Sequence, residues 1–275
     1  MSTETQEIHR VSHPIVRRRL DVTRVEDITP RMRRITLVGE QLEGFISAAP
    51  DDHVKLLFAM NEAERRAIET FGSAKEGAGQ ESPGQGSPGR VCPGRVCPKP
   101  TMRDYTPRRY DAEKGELDID FVLHGDGPAA TWASQAQPGD YLHIAGPRGS
   151  LIVPDVFEHY LLIGDESALP AIARRLEELP AGRRVQAIIE VEDDTERQPL
   201  KTQTQLDCRW VRRSAGESLL EAAQQVELPA GTRYVWIACE AKRSRQIRAH
   251  FMNERGIDEA QIKAAGYWRI DADDE

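Results

Sequence analysis

The sequence predicts two unlike halves: an N-terminal antiparallel six-stranded β-barrel, then a C-terminal α/β domain with a parallel sheet. Three observations predict it. The chain has 275 residues, enough for about two domains of roughly 100–200 residues each. Its first 150 residues string together short Val-, Ile- and Thr-rich runs with one short helix among the later ones, as in an antiparallel barrel. From residue 159 onward apolar strands alternate with helices, the rhythm of βαβ units. The boundary falls within 151–158, which gives units of 1–152 and 153–275.

In the first unit, 15–27 and 31–39 read as strands and 53–59 (HVKLLFA) as a third. Residues 61–71 suit a helix. Composition then changes: from Gly72 to Pro100 the chain is dominated by Gly, Pro, Ser, Lys and Glu, and it repeats PGRVC at 88–92 and 93–97. Such a segment buries too little apolar surface to order itself and reads as a loop insertion. Order resumes with strands at 102–110, 116–124 and 140–146 and a short helix near 128–136 that ends before Pro138-Gly139. In the second unit 159–164 is an apolar strand. Leu169, Ile172, Leu176 and Leu179 form a helical stripe, stopped by Pro180 and Gly182. Strands follow at 184–191, 208–212 and 233–239, with a helix at 217–226 and a long one from Ala241.

Composition narrows the function classes. The net charge of −8 argues against a general nucleic-acid binder, which needs clustered Lys and Arg. No apolar run approaches the roughly 18 residues of a membrane span, and the N-terminal stretch lacks the apolar segment of a signal peptide. Four Cys do not make a disulfide framework. Cys92 and Cys97 have no second pair nearby, and no His sits at ligand spacing, so no metal site is expected. The expectation is a soluble, cytoplasmic protein with no nucleic-acid partner and no stable membrane insertion. Eight Arg within residues 1–34 alternate with apolar side chains, which suits strands with one wet face.

Four motifs carry chemistry. Arg103-Asp104-Tyr105-Thr106-Pro107 sits on a strand. Arg103 can fork onto a pyrophosphate, Tyr105 can lie against a flat aromatic cofactor from the same strand face, and Thr106 can hydrogen-bond a ring nitrogen. Alone, the motif equally suits an exposed strand with a turn proline. The run from His124 to Trp132 ends a strand, turns through Gly125 and Gly127, and opens a helix at Pro128. Backbone N–H groups at such a start favour a phosphate, although an ordinary helix start reads the same way. Gly146-Pro147-Arg148-Gly149-Ser150 alone is a turn. Gly164 to Pro170 lies between an apolar strand and a helix, the position of a dinucleotide-binding turn; Asp165 and Glu166 make it a poor phosphate cradle and suit it better to the nicotinamide end.

The order of these motifs resembles the siderophore-interacting protein family, flavin-dependent ferric-siderophore reductases related to ferredoxin reductases. The resemblance is carried by DDHVKLLF at 51–58, RDYTP at 103–107, GDGPAATWA at 125–133, AGPRGS at 145–150, GDESALPAI at 164–172 and VWIACEAKRSRQIRAH…AAGYWR at 235–269. It covers nearly all of the chain except the first dozen residues and the 72–100 insertion. It implies a ferredoxin-reductase-like fold, FAD on the barrel and NADH or NADPH on the second unit. By motif match it implies that Arg103, Tyr105 and Thr106 hold the flavin and that His124, Gly127, Pro128, Ala129 and Thr131 lie along its diphosphate. It points to Asp165, Glu166, Ser167 and Glu240 at the nucleotide end, to Trp268 as a cofactor contact that either packs over the flavin or caps the core, and to Lys55 and Arg148 as cations that receive an anionic ferric chelate. A ferredoxin is a possible second electron donor. No acid, base or nucleophile is expected, because flavin carries the chemistry. The sequence departs from the family where Cys239 stands in place of the usual Gly before Glu240. Glu190, Glu192, Asp193 and Asp194 end the second strand of the nucleotide half, where an acidic residue suits a ribose diol, and this tilts the expectation to NADH. Arg197, Arg212, Arg213 and Lys242 remain possible phosphate contacts. Two other functions stay open: another NAD(P)H-dependent flavin oxidoreductase on the same scaffold, or a non-enzymatic siderophore-binding protein.

Overall fold

The computed structural model describes residues 7–70, 91–92, 95–96 and 100–270. Most of the expected 72–100 insertion, with the Cys92 and Cys97 thiols, lies outside them. The N-terminal half contains strands β1 (His9–Ser12), β2 (Arg17–Thr29), β3 (Met32–Val38) and β4 (Val54–Phe58), then helix α1 (Glu62–Thr70). After the short β5 (Val91–Cys92) and β6 (Arg95–Val96) come β7 (Thr101–Tyr105), β8 (Pro107–Asp111), β9 (Glu116–Val122), α2 (Pro128–Gln135), β10 (Tyr141–Ala145) and β11 (Gly149–Ile152).

The antiparallel sheet has seven strands in the order β7-β4-β10-β2-β3-β9-β8, not the six expected. The extra strand comes from the predicted strand 102–110, which splits at Thr106: β7 pairs with β4 at one edge and β8 pairs with β9 at the other. Pro107 has no N–H to continue the first ladder, so the chain can leave one edge there and join the other. The two edges of the curled sheet are therefore joined through the single residue Thr106. Leu20, Leu37, Leu56, Leu117, Ile119, Phe121 and Ile144 fill its interior. β1 and β11, which the sequence does not announce as strands, pair with each other.

The predicted wet face of the N-terminal strands is laced with ion pairs. Arg33 meets Asp27 at 2.6 Å and Arg34 meets Asp120 at 2.7 Å. Arg18 departs from the pattern: it is 4% exposed, donating to the carbonyls of Gln41 at 2.8 Å and Gly146 at 3.2 Å. Its place in the β2 alternation puts it on the same inward face as Leu20 and Val22.

The C-terminal half runs β12 (His159–Gly164), α3 (Leu169–Glu178), β13 (Arg184–Val191), β14 (Gln205–Arg212), α4 (Leu219–Gln225), β15 (Arg233–Glu240), α5 (Ala241–Asn253) and β16 (Ile262–Trp268). The five strands are all parallel, in the order β14-β13-β12-β15-β16. One face packs around Leu162, Ile172, Leu176 and Trp236, the other around Ile163, Ile237, Ile247 and Phe251. Burial on both faces explains why β12 and β15 read as continuous apolar runs. β16 was missed because AAGYW carries neither strand alternation nor a β-branched run. The strand order turns back at β12, so the crevice at its carboxyl end, between it and β15, is where such a sheet binds ligands.

The halves are clamped together. Arg174 of α3 donates to Ser47 Oγ at 2.7 Å and to the Pro107 carbonyl at 3.1 Å, and Arg108 pairs with Glu177 at 2.6 Å. Thr29 donates to Glu196 at 2.5 Å. No helix of the described residues is long and apolar enough to cross a membrane.

Candidate functional site

Strand β7 brings Arg103, Tyr105 and Thr106 to the seam of the curled sheet. Arg103 is exposed, donates to its neighbour's carbonyl, Met102 O, at 2.9 Å and pairs with no carboxylate among the described residues. Its fork is thus open to an anion. Tyr105 packs on Phe121 with ring centroids 4.7 Å apart, and burial pushes its phenol up to about 12. Thr106, 6% exposed, interacts through its side chain with the phenol of Tyr267 from β16. A residue of the second half therefore touches the strand expected to hold the flavin.

Helix α2 supplies the second element. Its N-cap, Gly127, is extended and offers no side-chain cap, and Pro128 begins the helix. The first N–H groups of the helix are left for an outside acceptor. A Cβ added at Gly125 or Gly127 would meet nothing within 4 Å, so the approach is open. Trp132 holds the helix on the barrel, 5.6 Å from Phe121 and 6.1 Å from Phe58. His124 and Thr131 are exposed beside the helix start, and Ala129 is buried under it. An uncapped helix start and an unpaired Arg fit the diphosphate of FAD.

The turn after β12 is built by close packing. A Cβ on Gly164 would lie 2.5 Å from Ala168 Cβ and 2.8 Å from the Ala238 carbonyl, so only glycine fits. Asp165 is 1% exposed. It accepts from the Ser167 N–H at 3.0 Å, the Ser167 hydroxyl at 2.5 Å and the Trp268 indole N–H at 2.8 Å. Burial pushes its carboxyl up. Its role is to shape the turn from inside. Trp268, half-exposed at the end of β16, also lies 6.4 Å from the His124 ring. It thus joins the helix start of the first half to the turn of the second.

Glu240 caps α5, accepting from the Lys242 and Arg243 N–H groups at 2.8 Å each. Burial opposes its charge, but these donors hold the carboxyl below its ordinary range. The neighbouring Cys239 points into the core at 0% exposure, and burial pushes its thiol up. Its side chain packs in the core beside Ile237, Ile247 and Phe251. The close approach here is made by its register partner Gly266, whose added Cβ would lie 2.6 Å from Ala241 Cβ.

The tilt to NADH is not supported. The acidic cluster behind it is already engaged. Glu190, 2% exposed, meets Arg243 at 2.6 Å and Arg213 at 3.1 Å, and it accepts from the Leu219 N–H at 3.2 Å. Arg213 also holds Glu166 at 2.6 Å and Glu192 at 3.0 Å. Asp193 caps the next turn through the Thr195 N–H at 2.8 Å, and Asp194 pairs with Arg197 at 2.6 Å. No carboxylate of this set is left over for a ribose diol. Half-exposed arginines instead reach the carboxyl ends of β13, β14 and β15.

Lys55 and Arg148 differ in charge environment. Lys55 faces its register partner Asp104 on β7 and pairs with it at 2.7 Å, both about half-exposed. Arg148 is exposed and pairs with no described residue; its backbone carbonyl accepts from the His13 N–H at 2.8 Å. Asp104, Arg243 and Tyr267 were missed as site residues. Each had a sequence signal in its place within a quoted motif, Asp104 in RDYTP and Arg243 and Tyr267 in the stretch 235–269. Among the described residues no group of three or more His, Cys, Asp or Glu is arranged to hold a metal ion.

Comparison with known proteins agrees with this geometry. The family model described as siderophore-interacting FAD-binding domain matches residues 21–151, and that described as siderophore-interacting protein matches 157–271. A protein of Escherichia coli K12 named NADPH-dependent ferric-chelate reductase is 37% identical, with 94% of this chain and 95% of that protein covered. The ferric vibriobactin reductase ViuB of Vibrio cholerae is 31% identical, with 92% and 89% covered. The crystal structure of a siderophore utilization protein from T. fusca superposes with a TM-score of 0.80 at 37% identity, covering 97% of each chain. A ferredoxin NADP+ reductase from Neisseria gonorrhoeae shares the fold at 12% identity and a TM-score of 0.56, covering 92% of this chain and 99% of that one.

Proposed function

The chain belongs to the siderophore-interacting protein family, and from that premise we propose that it reduces Fe(III) held in siderophore chelates with electrons from NADPH. Bound FAD would supply the chemistry, accepting a hydride from the nucleotide and passing single electrons to iron. The observations that carry the reading are the unpaired Arg103 on the flavin-motif strand and the uncapped start of α2, whose preceding His124 lies 6.4 Å from Trp268 of the second half. Residues 1–152 hold the flavin: Arg103 and the α2 start bind its diphosphate beside His124, Gly127, Pro128, Ala129 and Thr131, and Tyr105 and Thr106 orient its ring. Residues 153–275 hold the nucleotide at the turn 165–167, at Glu240 and under Trp268. The product is Fe(II), which hard oxygen chelators bind less strongly, so the metal is released. Purified protein should show flavin absorbance that bleaches with NADPH and returns with a ferric chelate. A protein that cannot be loaded with FAD overturns the reading.

Charge near the seam sets the response to the acceptor. Arg148→Ala should raise KM for anionic ferric chelates, and Asp104→Asn, which frees the Lys55 ammonium, should lower it. One exposed charge at close range is worth about 1 kcal/mol, or about fivefold. Both effects should shrink in high salt, and a neutral small acceptor should respond to neither. Equal change for charged and neutral acceptors would remove Lys55 and Arg148 from the chelate site.

The relative named as NADPH-dependent and the arginines around Glu190 both favour NADPH over NADH. We assign the 2′-phosphate to Arg213, a half-exposed cation at the carboxyl end of the β14 edge strand that is paired with Glu166, Glu190 and Glu192 and would exchange its Glu192 contact for the phosphate. Arg213→Ala should cut the NADPH-over-NADH preference by about tenfold, as expected for losing a hydrogen bond to a charged group of about 1.5–3 kcal/mol. Arg243 still holds Glu190 in that variant, so NADH kinetics should change little. Equal loss with both nucleotides would place Arg213 in the scaffold alone.

A further inference from the structure

Asp51, just before β4, is buried where the two halves meet. It is 8% exposed. Its Oδ2 accepts the Trp236 indole N–H at 3.0 Å and pairs with the Lys263 ammonium. Trp236 and Lys263 are register partners on β15 and β16, so one carboxylate of the barrel half grips two adjacent strands of the other half. Its second oxygen has no partner, nor do Arg175 Nη2 and the Tyr234 hydroxyl. Arg175 of α3 and Tyr234 of β15 both act electrostatically within this cluster. Burial disfavours the Asp51 charge, but Lys263, Arg175 and the indole outweigh it and keep the carboxyl below its ordinary range.

The cluster leads to the seam. The Trp236 ring stands edge-on to Tyr267, centroids 6.1 Å apart at 86°, and the Tyr267 phenol interacts with the Thr106 side chain. The next residue, Trp268, is pinned to the turn at Asp165. Of the other contacts between the halves, Arg108 with Glu177 includes a partly exposed group screened by water, whereas Thr29 with Glu196 is buried but lies on β2, away from the β15–β16 edge.

We propose that Asp51 is a positioning residue that sets the β15–β16 edge against the flavin strand, so that the nucleotide and flavin sites face each other in transfer register. The assignment rests on the FAD and NADPH reading above. A misplacement of about 1 Å far from the chemistry can lower a transfer rate by roughly a hundredfold, so loss of this grip should appear in the rate rather than in either affinity.

Asp51→Asn keeps the shape and the indole acceptor and strands the cations of Lys263 and Arg175. In this variant, hydrogen exchange measured without flavin should rise at least tenfold in 262–268 and stay unchanged in 184–191, on the far side of the sheet. In FAD-loaded protein, bleaching by saturating NADPH should slow at least tenfold. NADPH affinity, flavin content and reoxidation of dithionite-reduced protein by a ferric chelate should stay within twofold. Trp236→Phe removes one hydrogen bond and keeps the ring; it should give a smaller shift of the same pattern if Asp51→Asn fails to fold. Exchange unchanged at 262–268, or raised equally across the sheet, overturns the assignment, as does a bleaching rate that falls only as much as reoxidation. Wild-type protein that does not bleach overturns the functional reading, and the exchange arm still decides whether Asp51 holds the edge.

Discussion

Arg103→Ala is expected to leave a folded protein that loses its FAD. The Arg103 side chain is exposed, and its one hydrogen bond within the described residues goes to the adjacent Met102 carbonyl. Surface changes of this kind alter stability by only about 0.5 kcal/mol. Its contact with a flavin diphosphate would be a charge-assisted fork, worth about 1.5–3 kcal/mol or roughly tenfold to a hundredfold in affinity. The measurement is flavin absorbance per protein after gel filtration, with the dissociation constant from fluorescence quenching. Unchanged occupancy with unchanged affinity would take Arg103 out of the flavin site. Arg103→Lys should recover only part of the affinity, since an ammonium cannot make the planar fork.

Gly164→Ala is expected to damage the second half. The added Cβ would meet Ala168 Cβ at 2.5 Å, the Ala238 carbonyl at 2.8 Å and Ile172 Cδ1 at 3.2 Å. One belongs to α3, one to its N-cap Ala168 and one to the backbone of β15, so relief requires the turn and the helix to move together. Overpacking of this order costs about 2–3 kcal/mol, which lowers Tm by roughly 5–10 °C for a chain of this size. NADPH affinity should fall with it, because the same shift moves Ser167 and the Asp165 contact to Trp268. Calorimetry and nucleotide titration check both. A Tm within 2 °C of wild type, about what 1 kcal/mol would produce, would show that the turn yields at little cost.

Elements with strong local periodicity were legible in the sequence. The stripe of Leu169, Ile172 and Leu176 became α3, and the apolar runs at 159–164 and 184–191 became β12 and β13 with unchanged limits. What failed depended on partners far along the chain. The 102–110 strand splits because its two ends meet β4 and β9, and nothing local except Pro107 marks the break. β1 and β11 exist only by pairing across more than 130 residues. The same distinction holds at the site. The family resemblance named Arg103, Tyr105, Thr106 and the α2 start as flavin candidates, since each motif alone also suits an ordinary strand or helix start. Spacing was silent about charge compensation: it placed Glu190 and Glu192 beside a nucleotide, but not Arg213 and Arg243 beside them. Asp51 stood inside a recognised motif, yet its partners lie 185 and 212 residues away.

The opposed signs of Arg148 and Asp104 also follow from a long-range fact, the Lys55–Asp104 pair across two neighbouring strands. In a chain with a net charge of −8, an anionic chelate must be held by local cations against the overall field.

The account's central claim is that electrons pass from NADPH to chelated iron through FAD held at the seam. The direct measurement is anaerobic: FAD-loaded protein, a known amount of NADPH and an excess of ferric siderophore, with Fe(II) trapped by a colorimetric chelator. The account predicts about two Fe(II) formed per NADPH consumed, since a hydride carries two electrons and each iron takes one, with flavin absorbance bleached before and restored during iron reduction. NADPH consumed with no Fe(II) formed, or Fe(II) formed at the same rate by protein stripped of FAD, would contradict it.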